Sequence, residues 1–241
     1  ALVQRWMDTL ADRPGKQEVA LKAIKALEKW AVVREHLPYP ITTGVETVGS
    51  KGGRRPWRDE HVALVEKYGR PDLARAVILA ANTGQRGSDL VRMRWDHIET
   101  VSGRPGINVT QQKTGLQLWV PFTRQLQGAI ASWGERDLGL MLTKRDGSPW
   151  TRIALGQAWQ WERDSNPHIE PLKALELTMH GLRATACLRL YQAGANTKQI
   201  SYMVGMSESM VTRYLRFSVQ KENALAAVEN LDRTRFKQGG F

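Results

Sequence analysis

The sequence predicts a mainly helical α+β chain: a helical region carrying one small antiparallel sheet, preceded by a partial helical domain. Three observations carry this. Apolar residues recur at helical spacing through much of the 241 residues. Two short strand-like runs, 107–109 and 116–120, flank Lys113-Thr114-Gly115 as a hairpin would. No run of strands alternating with helices is present, which excludes a doubly wound nucleotide fold. No glycine-rich loop leads into Lys-Ser or Lys-Thr, so ATP use has no support.

The first helix is expected over 15–34, where Val19, Ala20, Ala23, Ile24, Leu27, Trp30 and Ala31 form an apolar stripe. Lys22, Lys25 and Lys29 form a separate stripe, either a solvated face or a helix laid against phosphates. Pro38 and Pro40 end this region, which bounds a first domain at 1–41. Residues 42–56 hold four glycines and the basic cluster Lys51, Arg54 and Arg55, the composition of an interdomain linker. The larger domain spans 57–241. Helices are expected at 59–68 and 72–81, and after Gly84 another through Met93. Beyond the hairpin, helices follow at 150–163 and 180–193, the latter stopped by Gly194. Gly205 separates helices at 197–204 and 209–216, and a tail helix covers about 219–232, with Leu225, Val228 and Leu231 on one face.

The net charge of +11 points to a polyanionic partner, most simply nucleic acid. The lone cysteine, Cys187, rules out an internal disulfide, fits a reducing compartment and reads as a small buried hydrophobe. No apolar run is long enough to span a bilayer, and no charged-then-apolar leader opens the chain. The chain begins with alanine, so a preceding segment is expected. No His, Cys and carboxylate cluster has metal-ligand spacing, and no metal or other cofactor is expected.

The chemistry concentrates in four places. Arg86 lies in Thr83-Gly84-Gln85-Arg86-Gly87-Ser88-Asp89-Leu90, Lys113 in Gln111-Gln112-Lys113-Thr114-Gly115, then His180-Gly181-Leu182-Arg183, and Tyr214 ends Met210-Val211-Thr212-Arg213-Tyr214. Cleaving a phosphodiester builds negative charge on non-bridging oxygens, and arginine forks are a direct remedy, so Arg86 and Arg183 are the candidate clamp. Asp89, one helical turn beyond Arg86, is placed to orient that guanidinium or to form a simple surface pair. His180 shares a helix face with Arg183 and is poised to exchange a proton near neutral pH. Tyr214 is the candidate nucleophile.

The order and local contexts of these residues resemble the tyrosine recombinase (phage integrase) family from about Trp57 to the C-terminus. The resemblance implies a helical catalytic domain behind a partial core-binding domain, with Lys113 on a catalytic hairpin as general acid. It implies a site-specific recombinase that cleaves and rejoins DNA through a 3′-phosphotyrosyl intermediate, integrating and excising a mobile element without a cofactor. The partners it implies are double-stranded attachment-site DNA, further copies in a homotetramer joined by the C-terminal helix, and accessory DNA-bending or directionality proteins. The compartment it implies is the bacterial cytoplasm, at the nucleoid when on DNA. Lys22, Lys25, Lys29, Lys51, Arg54 and Arg55 become candidate DNA contacts.

Two positions depart from the family pattern. Met206 follows Gly205 where a histidine or tryptophan is usual, and a thioether cannot donate a hydrogen bond to phosphate; Ser207 is the adjacent alternative donor. Ala184 follows Arg183 where histidine is frequent. Two other readings remain at this stage. Residues 197–215 fit a non-catalytic helix-turn-helix-like DNA-binding protein, with Ile200, Val204, Gly205, Val211 and Tyr214 as its framework. A type IB topoisomerase-like strand-passing enzyme would use nearly the same reactive residues.

Overall fold

The computed structural model describes residues 2–49, 55–134, 139–216, 224, 225, 227–229 and 231. The chain forms two compact units, Ala1–Gly52 and Gly53–Phe241.

The first unit holds α1 (Leu2–Asp8) and α2 (Pro14–Val33), the latter started by a proline whose missing N–H costs nothing in a first turn. Its buried stripe is not the apolar one the sequence suggests. Gln17, Leu21, Glu28 and Ala31 face inward, while Val19, Leu27 and Trp30 are exposed. The reason is hydrogen bonding. Gln17 donates to the Met7 carbonyl at 2.9 Å and accepts from the Val48 N–H at 2.8 Å. Glu28 accepts the Ile41 and Thr42 N–H groups at 2.9 and 2.8 Å and the Thr42 hydroxyl, which holds its carboxyl below the usual carboxylate range. Residues 42–48 are therefore tied into this unit, although their composition reads as the start of a linker.

The second unit is built around α4 (Pro71–Thr83), nearly every side chain of which is buried. It packs against α3 (Asp59–Tyr68), α6 (Arg124–Ala131), α7 (Arg152–Ser165) and α9 (Gly181–Gln192). The helix expected through Met93 is shorter: α5 covers Gly87–Leu90. Among the described residues there is one sheet, antiparallel in the order β1 (Ile98–Val101), β2 (Arg104–Thr110), β3 (Gln117–Pro121). The expected hairpin is β2–β3, with buried Ile107 opposite buried Val120. The strand missing from the sequence reading is β1, an edge strand with a mostly exposed face and hence no alternation to detect. Helices α6 and α8 (Glu170–Ala174) are likewise additions; α6 is started by Thr123, whose hydroxyl accepts the Leu126 N–H.

A smaller apolar cluster fixes the C-terminal part of the site. Cys187 of α9, Ile200 and Val204 of α10 (Thr197–Val204), and Val211 and Leu215 of helical residues 208–216 pack together, with Met206 and Tyr214 against them. Burial pushes the Cys187 thiol up to about 11, so it is an inert packing group. Among the described residues no helix is long and apolar enough to cross a membrane.

Candidate active site

Two left-handed glycines frame the arginines. Gly84 ends α4 with φ 65°, and a Cβ there would lie 2.7 Å from a Val204 methyl. Gly205 ends α10 with φ 63°. Arg183, from α9, is 3% exposed and donates to the Gly84 carbonyl at 2.5 Å and the Gly205 carbonyl at 3.1 Å. Burial, with the nearby charge of Arg86, lowers its guanidinium to about 10, so it stays charged at neutral pH. Its hydrogen-bond acceptors are the two neutral carbonyls, and the nearby Asp89 carboxylate favours its charged form. Arg86 stands at the N-cap of α5, and its Nη1 donates to the Gln111 side-chain carbonyl at 2.7 Å.

The expected partner of Arg86 was Asp89, and here the structure differs. The Asp89 carboxylate accepts the Gln112 N–H at 2.9 Å and the Ser88 hydroxyl at 3.3 Å. It is 3% exposed, and Oδ2 has no partner among the described residues. Asp89 thus braces the β2–β3 turn that carries Lys113. Lys113 itself is exposed, with no hydrogen bond or ion pair among the described residues, so its amine is free to move.

His180 immediately precedes α9, and its Nε2 shares a hydrogen bond of 3.2 Å with the Tyr214 hydroxyl. The turn before α9 is clamped from outside. A Cβ on Gly181 would sit 2.3 Å from the Arg55 carbonyl, and the Trp57 indole donates to the Thr178 carbonyl at 3.0 Å. The Trp57 N–H donates to the Thr185 hydroxyl at 2.7 Å. The structure therefore gathers Arg86, Arg183, His180 and Tyr214, and leaves Lys113 exposed on an adjacent turn. Among the described residues no group of three His, Cys, Asp or Glu side chains is placed to hold a metal ion.

Residues 66–221 match the sequence profile of the phage integrase family. The chain belongs to that family. Its fold is that of solved integrases. A lambda integrase dimer bound to a COC′ core site superposes with TM-score 0.67 at 18% identity, over 88% of this chain and 63% of that one. A lambda integrase tetramer bound to a Holliday junction gives 0.69 at 17%, with coverages of 88% and 63%. The Tn1549 transposon integrase with transposon right end DNA gives 0.68 at 16%, over 95% of this chain and 84% of that one. The chain thus spans less than two thirds of those lambda integrase chains. No curated protein sequence matches it significantly.

Within this integrase-family site, Met206 is half-buried against the C-terminal apolar cluster, and its carbonyl accepts the Ser201 hydroxyl at 2.5 Å. Ser207 is exposed and bonded to Ser209. Ala184 is buried. Sequence reasoning passed over Gln111, which lay inside the quoted Lys113 motif as a neighbour without a task; its full burial and its contact with Gly205 arise from residues far apart in sequence. Lys22, Lys25 and Lys29 are exposed along α2, and Arg55 is exposed. Lys51 and Arg54 lie outside the described residues, as does most of the expected tail helix; of it, Leu225, Val228 and Leu231 are helical and exposed.

Proposed function

We propose that this phage integrase family chain is a site-specific recombinase that cleaves and rejoins DNA strands through Tyr214. The observation that carries the proposal is the 3.2 Å contact between the Tyr214 phenol and His180 Nε2, beside two arginines bonded to neutral oxygens, Arg86 to the Gln111 amide and Arg183 to the Gly84 and Gly205 carbonyls. A free phenol has a pKa near ~10, so attack at neutral pH needs a proton acceptor and nearby cations. In the proposed step the Tyr214 oxygen forms a bond to the scissile phosphorus as the bond to the 5′ oxygen breaks. The phenolic proton passes to His180. Arg86 and Arg183 take the charge on the non-bridging oxygens, and Lys113 swings in to protonate the departing 5′ oxygen. The product is a 3′-phosphotyrosyl bond, which conserves the phosphodiester energy and lets another strand's 5′ hydroxyl reverse the step without a nucleotide.

The substrate of this reading is a double-stranded attachment site, and the process is integration or excision of a mobile element in a bacterial cytoplasm. The first unit serves as part of a core-binding domain, and Lys22, Lys25 and Lys29 of α2, together with Lys51, Arg54 and Arg55 of the basic segment, lie along the phosphate backbone. Four copies assemble on DNA through the C-terminal helix, whose exposed Leu225, Val228 and Leu231 form an apolar stripe, and accessory DNA-bending or directionality proteins set the direction. The solved relatives include a lambda integrase tetramer on a Holliday junction, which supports this assembly.

The test uses a nicked suicide DNA bearing the element's own end sequence. The wild-type protein should form a covalent protein–DNA adduct and Tyr214→Phe should form none. Site-specific binding without any adduct would replace the recombinase reading with a non-catalytic DNA-binding one.

A further inference from the structure

The Gln111 side chain is completely buried at the end of β2, and each of its polar atoms is used twice. Its Oε1 accepts Arg86 Nη1 at 2.7 Å and the Thr114 hydroxyl at 3.1 Å. Its Nε2 donates to Gln85 Oε1 at 2.9 Å and the Val204 carbonyl at 3.0 Å. The orientation of the amide is dictated by its neighbours, because a guanidinium can only donate and a backbone carbonyl can only accept. Gly205 lies directly against it: a Cβ at that position would be 2.3 Å from Nε2. The next link is Gly205's own carbonyl, which receives Arg183.

We infer that Gln111 is a positioning residue for Arg86, fixing the guanidinium toward the scissile phosphate while leaving its charge undiminished; the inference rests on the recombinase reading above. The chemistry of the acceptor is the argument. A carboxylate in this place would orient the arginine equally well, but it would offset its charge and compete with the phosphate. The nearby carboxylate, Asp89, is bonded instead to the Gln112 N–H and the Ser88 hydroxyl. A neutral amide supplies direction without neutralisation. By also holding Thr114 in the Lys113 turn and Val204 beside Gly205, the same amide sets the spacing of the hairpin, Arg86 and the carbonyl that holds Arg183.

The experiment measures single-turnover adduct formation on two nicked suicide substrates. One has an ordinary scissile phosphodiester, the other an uncharged methylphosphonate at the scissile position, where an arginine clamp has less charge to stabilise. Gln111→Met, of similar size but without the amide, should slow adduct formation about 10- to 100-fold on the phosphodiester, the scale of a misplaced catalytic group. It should run close to wild type on the methylphosphonate and leave DNA affinity unchanged. Combining it with Arg86→Ala should add much less than the loss seen in the wild-type background, since the residue it chiefly positions is gone. An unchanged rate on the phosphodiester, equal losses on both substrates, or a full further loss in the Arg86→Ala background would each overturn the assignment. If Gln111→Met does not unfold cooperatively, Gln111→Asn carries the test. It keeps the amide's donor and acceptor but withdraws them by one methylene from Arg86, so it should be slow on the phosphodiester and recover on the methylphosphonate, with the same overturning outcomes. Absence of any adduct from the wild-type protein sinks the recombinase reading, and this inference with it, and is distinguishable because the wild-type arm is scored first.

Discussion

Arg183 and Lys113 carry the same charge under opposite constraints. Arg183 is 3% exposed and bonded to the carbonyls of Gly84 and Gly205, whereas Lys113 is exposed on a turn with no partner among the described residues. On the recombinase reading, the difference follows from what each is asked to do. A group that stabilises charge on non-bridging oxygens is most effective when fixed before the reaction begins. A group that delivers a proton to a leaving oxygen must reach it, and a long side chain on a braced turn can. The turn itself is not loose, because Asp89 holds the Gln112 N–H. Thr114 and Gly115 beyond the lysine are bonded to Gln111 as well, so the turn is tied on both sides of Lys113.

The largest effect should come from breaking the fixed side. Arg183→Met leaves two backbone carbonyls without their donor, at about 1–3 kcal/mol for each unsatisfied group. It should lower the urea midpoint and reduce adduct formation by at least ~10³-fold, the scale of a lost oxyanion donor. Lys113→Met should leave the urea midpoint in place and slow adduct formation by about 10²-fold. A 5′-bridging sulfur, which leaves without a proton, should restore the Lys113 variant and not the Arg183 one. Equal rescue of both would erase the distinction between the two cations.

Gly205→Ala sharpens the comparison from the backbone. The residue has φ 63°, and the new methyl would meet Gln111 Nε2 at 2.3 Å, so both the left-handed turn and the amide must give. A stability loss of about 1–2 kcal/mol by denaturant titration is expected for the left-handed turn alone. The histidines show the smallest effect. Buried His61 accepts the Arg58 N–H at 3.1 Å, and burial lowers its pKa from the ordinary 6.5. The unfolded chain therefore binds the proton more readily. His61's contribution is complete above pH 6.5 and is lost as the pH falls through its lower folded value. Urea midpoints should drop over that window in the wild type and less in His61→Gln, whose carbonyl can accept the same N–H.

Much of the second unit was legible in the chain itself. The helices at Asp59–Tyr68 and Thr197–Val204 fall where their apolar spacing and flanking glycines place them. The β2–β3 hairpin was legible for the same reason, a period of two around Lys-Thr-Gly. Periodicity failed where burial was polar. In α2 it selects Val19, Leu27 and Trp30, yet the inward positions include Gln17 and Glu28, because backbone N–H groups of 41–48 demand acceptors that no apolar side chain offers. The site divided in a similar way. Its reactive residue types stand out in short motifs, but the Asp89 bond to Gln112 and the amide of Gln111 depend on pairings across the fold that no local pattern records.

The bonds that hold Arg183 also order events in time. Its partner Gly84 lies 99 residues earlier in the chain, Trp57 meets Thr185 across 128, and Tyr214 reaches His180 only after helical residues 208–216 have packed. Contacts of such long range form late in folding. Synthesis runs from the N-terminus, so the phenol is the last of the reactive groups to leave the ribosome. On the recombinase reading, an unfinished or partly unfolded copy therefore lacks its nucleophile, its clamp, or both.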